Sequence, residues 1–175
     1  MNKREVWDAV DADGRLLGFD LYRDEADKIP AGIYHTVVEV VTVTRDGKVL
    51  MTQRDPKKPF GLQWEFTGGS AVKGETSEIA AVRELLEETG IVTEPKNLVL
   101  MLKLAHTNSL YYVYAHTVDS SDIEISMQEG ETVDYRFVPL AELERALNDS
   151  TFVWHVNARF QRYKMKFFEY ANSTK

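Results

Sequence analysis

The sequence predicts one α/β or α+β sandwich, and three observations carry that expectation. Runs rich in β-branched and aromatic residues alternate with segments of helical period, an order that lays helices against a sheet. Turn signals, "DADG" at 11–14 and "RDGK" at 45–48, join neighbouring runs as hairpins. Between the strands, residues 77–89 make one helical stretch with its own start and stop signals.

The elements follow in chain order. "EVWDAV" at 5–10 and "RLLGFDLYR" at 15–23 read as a small hairpin, and "DEADKIPAG" as the loop after it. "YHTVVEVVTVT" at 34–44 and "KVLMTQR" at 48–54 are strands by their β-branched content. "DPKKPFGLQWEFTGG" at 55–69, rich in Pro, Gly and Lys, reads as a loop. Thr76 suits the N-cap of the 77–89 helix and Gly90 its C-terminal stop. "NLVLMLKLAH", "NSLYYVYAHTV" and "TVDYRFV" read as three further strands. "PLAELERALN" opens with Pro, which is tolerated in a first helical turn, and "NARFQRYKMKFFEYAN" reads as a single amphipathic C-terminal helix. The expected organisation is one domain over 1–175: an extension at 1–33, a core at 34–147 and a C-terminal helix at 148–175.

Bulk properties narrow the function. The chain has 175 residues, 43% hydrophobic and 28% charged, the profile of a globular domain with a real core. A net charge of −7 disfavours long nucleic acid and anionic membranes as partners. The absence of cysteine removes disulfides, thiolate metal sites and cysteine nucleophiles, and fits a cytoplasmic setting. "MNKREVWDAVDADG" has no apolar signal core, and no apolar run approaches the ~20 residues that span a bilayer.

The 77–89 helix breaks local rules. At about 100° per residue, Ile79, Val82, Leu86 and Thr89 fall on one side, expected to face the core, and Glu84, Glu87 and Glu88 fall opposite. Glu84 and Glu88 are like charges four apart, which costs roughly 0.2–0.5 kcal/mol. Glu87 and Glu88 also oppose the helix dipole, at about 0.3–1 kcal/mol each. Arg83, four before Glu87, offsets part of this. A solvated acidic face is the plain alternative. Converging carboxylates, however, suit a hard divalent cation such as Mg2+, and that ion suits phosphate chemistry.

Gly69, Glu75, Arg83, Glu84, Leu85, Glu87, Glu88, Gly90 and Ile91 together match the Nudix box with no departure. Seven of these are single-residue requirements; at roughly 7% per position, chance gives about one match in 10^8 starts. The chain thus resembles the Nudix hydrolases, from about Tyr34 to Leu147. Thr67 stands where Pro is frequent in the family, and Phe137 where Trp is common. The N-terminal hairpin is similar to the extension in the branch near isopentenyl diphosphate isomerases. The resemblance implies an α/β/α sandwich with a mixed β-sheet and an N-terminal β-hairpin extension. It implies hydrolysis of a nucleoside diphosphate linked to another group, X, with Mg2+ or Mn2+ as cofactor. Glu87 and Glu88 would be metal ligands, with the Gly68 carbonyl as a further one. Glu84 would be ligand or general base. Glu75 would assist, and Arg83 would position the glutamates. Spacing from Phe137 points to Glu131 as a distal ligand or base, with Glu124 and Glu129 as rivals. Many relatives pair as homodimers.

Other residues are candidate partners of a nucleotide or diphosphate substrate. Arg54, Lys57 and Lys58 precede the box and suit phosphate, Arg as a fork and Lys as a point charge. Trp64, Tyr112 and Tyr114 are aromatic faces for a base, with core packing as the alternative. His35, His106, His116 and His155 show no metal-ligand spacing and read as ordinary histidines. An allylic diphosphate isomerase would need the related family's cysteine before the box, where this chain has "TGGS" at 67–70. A non-catalytic Nudix-fold binding module is the third class, set against it by the intact box glutamates.

Overall fold

The computed structural model describes residues 4–174. Among the described residues there are nine strands and four helices, and the seven strands expected from the sequence keep their order. β1 (Val6–Val10) and β2 (Leu16–Tyr22) form the N-terminal hairpin around Gly14. β3 (His35–Thr44) and β4 (Lys48–Arg54) come next, then β5 (Trp64–Glu65) and β6 (Thr67–Ser70). Helix α1 (Ser77–Thr89) precedes β7 (Val99–His106), β8 (Ser109–Val118) and β9 (Thr132–Pro139). Helices α2 (Leu143–Leu147), α3 (Trp154–Phe160) and α4 (Lys164–Ser173) close the described chain. No helix among the described residues is long and apolar enough to cross a membrane.

The main sheet has seven strands and is mixed: β3 and β8 run parallel over ten residue pairs, and the other pairings are antiparallel. Strand alternation divides the core into two layers. Val38, Val40, Leu50 and Tyr114 point to α1 and pack on Ala80, Ala81 and Leu85. Val41, Val43, Met51 and Val113 point the other way, onto Leu143, Phe160 and Phe167 of the C-terminal helices. This is the expected α/β/α sandwich.

The feature that makes the site is a split in the sheet. β3 and β4 meet at Val43–Val49, but further along β3 its partner is β6, pairing Val37–Val40 with Ser70–Thr67. β5, only Phe66 away from β6, stays on β4 through Thr52–Glu65 and Gln53–Trp64. The 55–69 stretch therefore holds two short strands as well as loop. A gap between β3 and β4 lets side chains from both helical layers meet.

Three further expectations are corrected. Residues 23–28 form a 3-10 turn, which takes the last residue of the expected strand and the first part of the expected loop. The single C-terminal helix is two, broken at Gln161–Tyr163. The break carries the Tyr163 hydroxyl onto Glu39, to which it donates at 3.1 Å, so a buried tertiary contact overrides helical continuity. The third correction concerns the face of α1. Its buried residues are Ala80, Ala81, Leu85, Glu88 and Thr89, while Ile79 and Leu86 are about half exposed. Two alanines let the helix lie close on the sheet, and this rotation turns Glu84 and Glu88 inward.

The N-terminal hairpin is docked on the loop leading to α1. Lys73 N–H donates to the Val6 carbonyl at 2.9 Å, and Gly74 N–H to the Asp8 carboxylate at 2.7 Å. Trp7 stacks on His35 at 3.8 Å, which ties the hairpin to the start of β3.

Candidate active site

The cleft lies over the split in the sheet. Its lining includes Glu39, Glu65, Gly68, Gly69, Glu84, Glu87, Glu88 and Glu131, with Arg23, Arg54, Lys58, Arg83 and Arg159 among them. Acid and base are thus interleaved in one space of about 340 Å³.

Helix α1 delivers its glutamates through good caps. The Thr76 hydroxyl accepts from Ile79 N–H at 3.3 Å, and Gly90, at φ 76°, ends the helix in the left-handed conformation that glycine tolerates. Arg83 then organises the acids. It donates to Glu75 at 2.7 and 2.9 Å, to Glu84 at 2.8 Å, to Glu87 at 2.9 Å and to the Ser70 carbonyl at 3.0 Å. Glu75 also accepts from Val72 N–H at 3.0 Å. One guanidinium thereby locks the box loop to the helix.

Glu88 is 2% exposed, and the Gly68 N–H donates to it at 3.2 Å. Burial, with Glu65 and Glu84 adding repulsion, pushes its carboxyl well above the usual carboxylate range. Burial likewise raises Glu84, against the pull of Arg83, and Glu65, against Arg54. Glu75 goes the other way: burial pushes it up, but hydrogen bonds from Arg83 and Val72 N–H outweigh that and lower it.

Two glycines make the floor. A Cβ on Gly68 would lie 2.3 Å from the Val38 carbonyl of the neighbouring strand. A Cβ on Gly69 would lie 2.3 Å from Glu84 Oε1, so the carboxylate of Glu84 rests in the space a side chain would fill.

These residues fit a hard divalent cation. Glu88 is buried with no ion pair among the described residues, Glu84 beside it shares Arg83 with Glu75 and Glu87, and a backbone without side chains lies next to them; oxygen donors of this kind are what Mg2+ and Mn2+ accept. As they stand, no three acidic or histidine side chains among the described residues are gathered closely enough to hold a metal ion. Glu84 and Glu87 are held by Arg83, and Glu131 by Lys58.

The sequence-expected residues divide accordingly. Glu84, Glu87, Glu88, Gly68, Arg83, Glu131, Arg54 and Lys58 line the cleft together. Glu75 reaches it through Arg83. Arg54 is paired with Glu65 at 2.5 Å and also donates to the Pro59 carbonyl. Trp64 does not line the cleft: it packs on the core under the Arg136 guanidinium, 4.2 Å from its ring centre. Glu129 is not among the lining residues, and Glu124 lines a different hollow beyond the end of α1.

Sequence reasoning missed Glu39, Glu65, Tyr111, His155 and Arg159, all of which line the cleft. A charged residue inside the apolar run "VVEVV" was a usable signal for Glu39, since buried charge is informative. Glu39 is paired with Arg159 at 2.5 Å, and both side chains are at least 90% buried. Tyr111 lies on the opposite face of β8 from Tyr112 and Tyr114, which pack on the α1 side. His155, read as ordinary, meets Phe60 edge-on at 5.0 Å; burial, then Arg159 and Arg54, lower its pKa.

Comparison with known proteins agrees with this geometry. The NUDIX domain family model matches residues 33–160. An uncharacterized Nudix hydrolase of Listeria monocytogenes, lmo0368, is 30% identical over 151 residues, 85% of this chain and 88% of that one. An RNA pyrophosphohydrolase of Sphingopyxis alaskensis is 28% identical over 143 residues, 69% of this chain and 85% of that one. Among solved structures, DR0079 from Deinococcus radiodurans superposes with a TM-score of 0.67 at 19% identity, over 91% of this chain and 99% of that one. With its box complete and its glutamates gathered over a split sheet, the chain belongs to the Nudix family and is a pyrophosphate hydrolase.

Proposed function

We propose that the protein is an Mg2+-dependent hydrolase, with Mn2+ as a substitute, that cleaves the diphosphate bridge of a nucleoside diphosphate linked to another group, X. The observation that carries the reading is the buried Glu88, which has no ion pair among the described residues, next to Glu84 and the Gly68–Gly69 backbone. Glu84, Glu87, Glu88 and the Gly68 carbonyl would hold the cation. When bound, it supplies a Lewis acid to the diphosphate oxygens and to the attacking water.

The chain's own residues do the rest. Arg83 keeps the glutamates aligned, so they need not reorganise as charge develops. Glu75 fixes Arg83 in turn. Lys58 and Arg54 face the cleft as cations for phosphate oxygens. Lys58 now holds Glu131. Exchange of that partner for a substrate phosphate frees the Glu131 carboxylate to act as ligand or base. Glu84, with its raised pKa, is the other group suited to accept a proton from water.

The test is cleavage of a panel of diphosphate compounds, including sugar nucleotides, ADP-ribose and dinucleoside polyphosphates, with Mg2+, with Mn2+ and with chelator, read by chromatography of the mononucleotide and phosphate-ester products. Turnover with either metal and none in excess chelator is expected. Undiminished turnover in chelator overturns metal dependence, and no turnover on any diphosphate overturns the substrate class.

A further inference from the structure

A second cavity, of about 480 Å³, opens beside the catalytic cleft between α3 and the strands β7 and β8. Tyr111, His155 and Arg159 line both spaces, so the two adjoin. Trp154, Arg162 and His106 belong to the second one alone. Its volume is in the range of small-ligand sites. Its wall is mainly aromatic and cationic and includes no carboxylate among the described residues, although the chain carries a net charge of −7. That contrast distinguishes it from the acid-rich cleft next to it.

Trp154 has no packing role that accounts for it. The side chain is 68% exposed at the start of α3, beside His155, whose ring it meets edge-on at 5.5 Å. The backbone that presents it is nevertheless held firmly. Trp64 N–H donates to the Thr151 carbonyl at 2.7 Å, and Val153 N–H to the Trp64 carbonyl at 2.9 Å. These bonds tie the start of α3 to β5, the strand that carries Glu65 into the cleft. The opposite wall is equally fixed. Arg159, locked by Glu39, lies over the Tyr111 ring at 4.2 Å. Arg162 is exposed and makes no ion pair among the described residues.

An exposed indole on a fixed backbone, in a carboxylate-free hollow with a free guanidinium, suits a planar aromatic group attached to an anion. Stacking on such a face is open to every nucleobase, and arginine meets the attached phosphate. Resting on the hydrolase reading, we propose that this cavity is the nucleoside subsite: the base stacks on Trp154 while the diphosphate lies in the adjoining cleft. Arg162 forms the cationic rim that attracts the anionic ligand.

The experiment is binding of the four common nucleoside 5′-monophosphates and of ribose 5-phosphate, by calorimetry, in the presence of chelator. Wild type, Trp154→Ala and Trp154→Phe are compared. At least one mononucleotide should bind about tenfold or more tightly than ribose 5-phosphate. Trp154→Ala should remove that advantage, and Trp154→Phe should keep most of it. An exposed position leaves the melting temperature unchanged, so loss of binding reads on the subsite. Equal binding by wild type and Trp154→Ala, equal binding of ribose 5-phosphate, or no mononucleotide binding overturns the proposal. Failure of the hydrolase reading looks different, because it is an absence of metal-dependent diphosphate cleavage while chelator-resistant mononucleotide binding persists.

Discussion

Replacing Glu88 by Gln keeps its shape and removes a buried charge that the fold does not neutralise. Glu88→Gln and Glu84→Gln should each lower kcat by about 10^2-fold or more, the scale of losing a base or an electrostatic group. Thermal unfolding should be unchanged or shifted upward, because repulsion between carboxylates falls. Near-normal turnover in both variants would refute the roles assigned to them. Glu131→Gln should reduce turnover well beyond Glu129→Gln, since only Glu131 lines the cleft. The two floor glycines give a sharper contrast. Gly69→Ala presses on the end of a flexible side chain, the Glu84 carboxylate, so it should lower activity with little loss of stability. Gly68→Ala presses on the Val38 carbonyl, which is backbone in a paired strand, so it should destabilise by about 2 kcal/mol or more. Calorimetric melting and steady-state turnover on both variants check the pair; the opposite assignment of defects would sink it.

A buried charged junction helps fasten the C-terminal segment α3–α4 to the sheet. Glu39 accepts from Arg159 at 2.5 Å and from the Tyr163 hydroxyl at 3.1 Å. Removing the arginine alone leaves a buried carboxylate without its counter-charge. Arg159→Met should therefore cost about 3–5 kcal/mol. Adding Glu39→Gln in the same chain should recover most of that loss, because no uncompensated charge remains. Urea unfolding of the wild type, the single variant and the double variant measures the coupling. A double variant no more stable than Arg159→Met would mean that packing, not charge, holds the helices. The same junction explains why the long amphipathic pattern at 157–172 does not form one helix: a continuous helix would not bring Tyr163 to Glu39.

Across the whole molecule, buried histidines set part of the pH dependence of folding. Burial lowers His116 to about 4, against an ordinary value of 6.5. The unfolded chain takes up a proton near 6.5 and the folded chain only near 4. The unfolded state therefore binds more protons in between, and the histidine's contribution is full above about 6.5 and is lost as pH falls toward 4. The ceiling on that loss is roughly 3 kcal/mol. Buried acids with raised pKa values oppose it, since their folded forms bind protons first. The difference between wild type and His116→Leu isolates the histidine. Measured by urea unfolding at pH 7, 6 and 5, wild type should lose stability relative to His116→Leu at each step down. A constant difference across that range would refute the assignment.

What the sequence determined alone was local. The span of α1 at 77–89, its caps at Thr76 and Gly90, and the order of strands follow from periodicity, turn residues and capping chemistry, which act within a few residues. The box residues are close in sequence, so their chemistry was legible there too. The tertiary structure decided what depends on distant partners. The hydrophobic pattern assigned Ile79 and Leu86 to the core, but Ala80 and Ala81 set the close packing that turns Glu84 and Glu88 inward. Residues 64–70 become two strands only because β4 and β3 each take one partner across the split. Glu39, Glu65, Tyr111, His155 and Arg159 are separated by up to 120 positions along the chain and meet in one cleft. No window of local sequence contains that meeting, because it is set by the splay of two strands and the buried charges that span it.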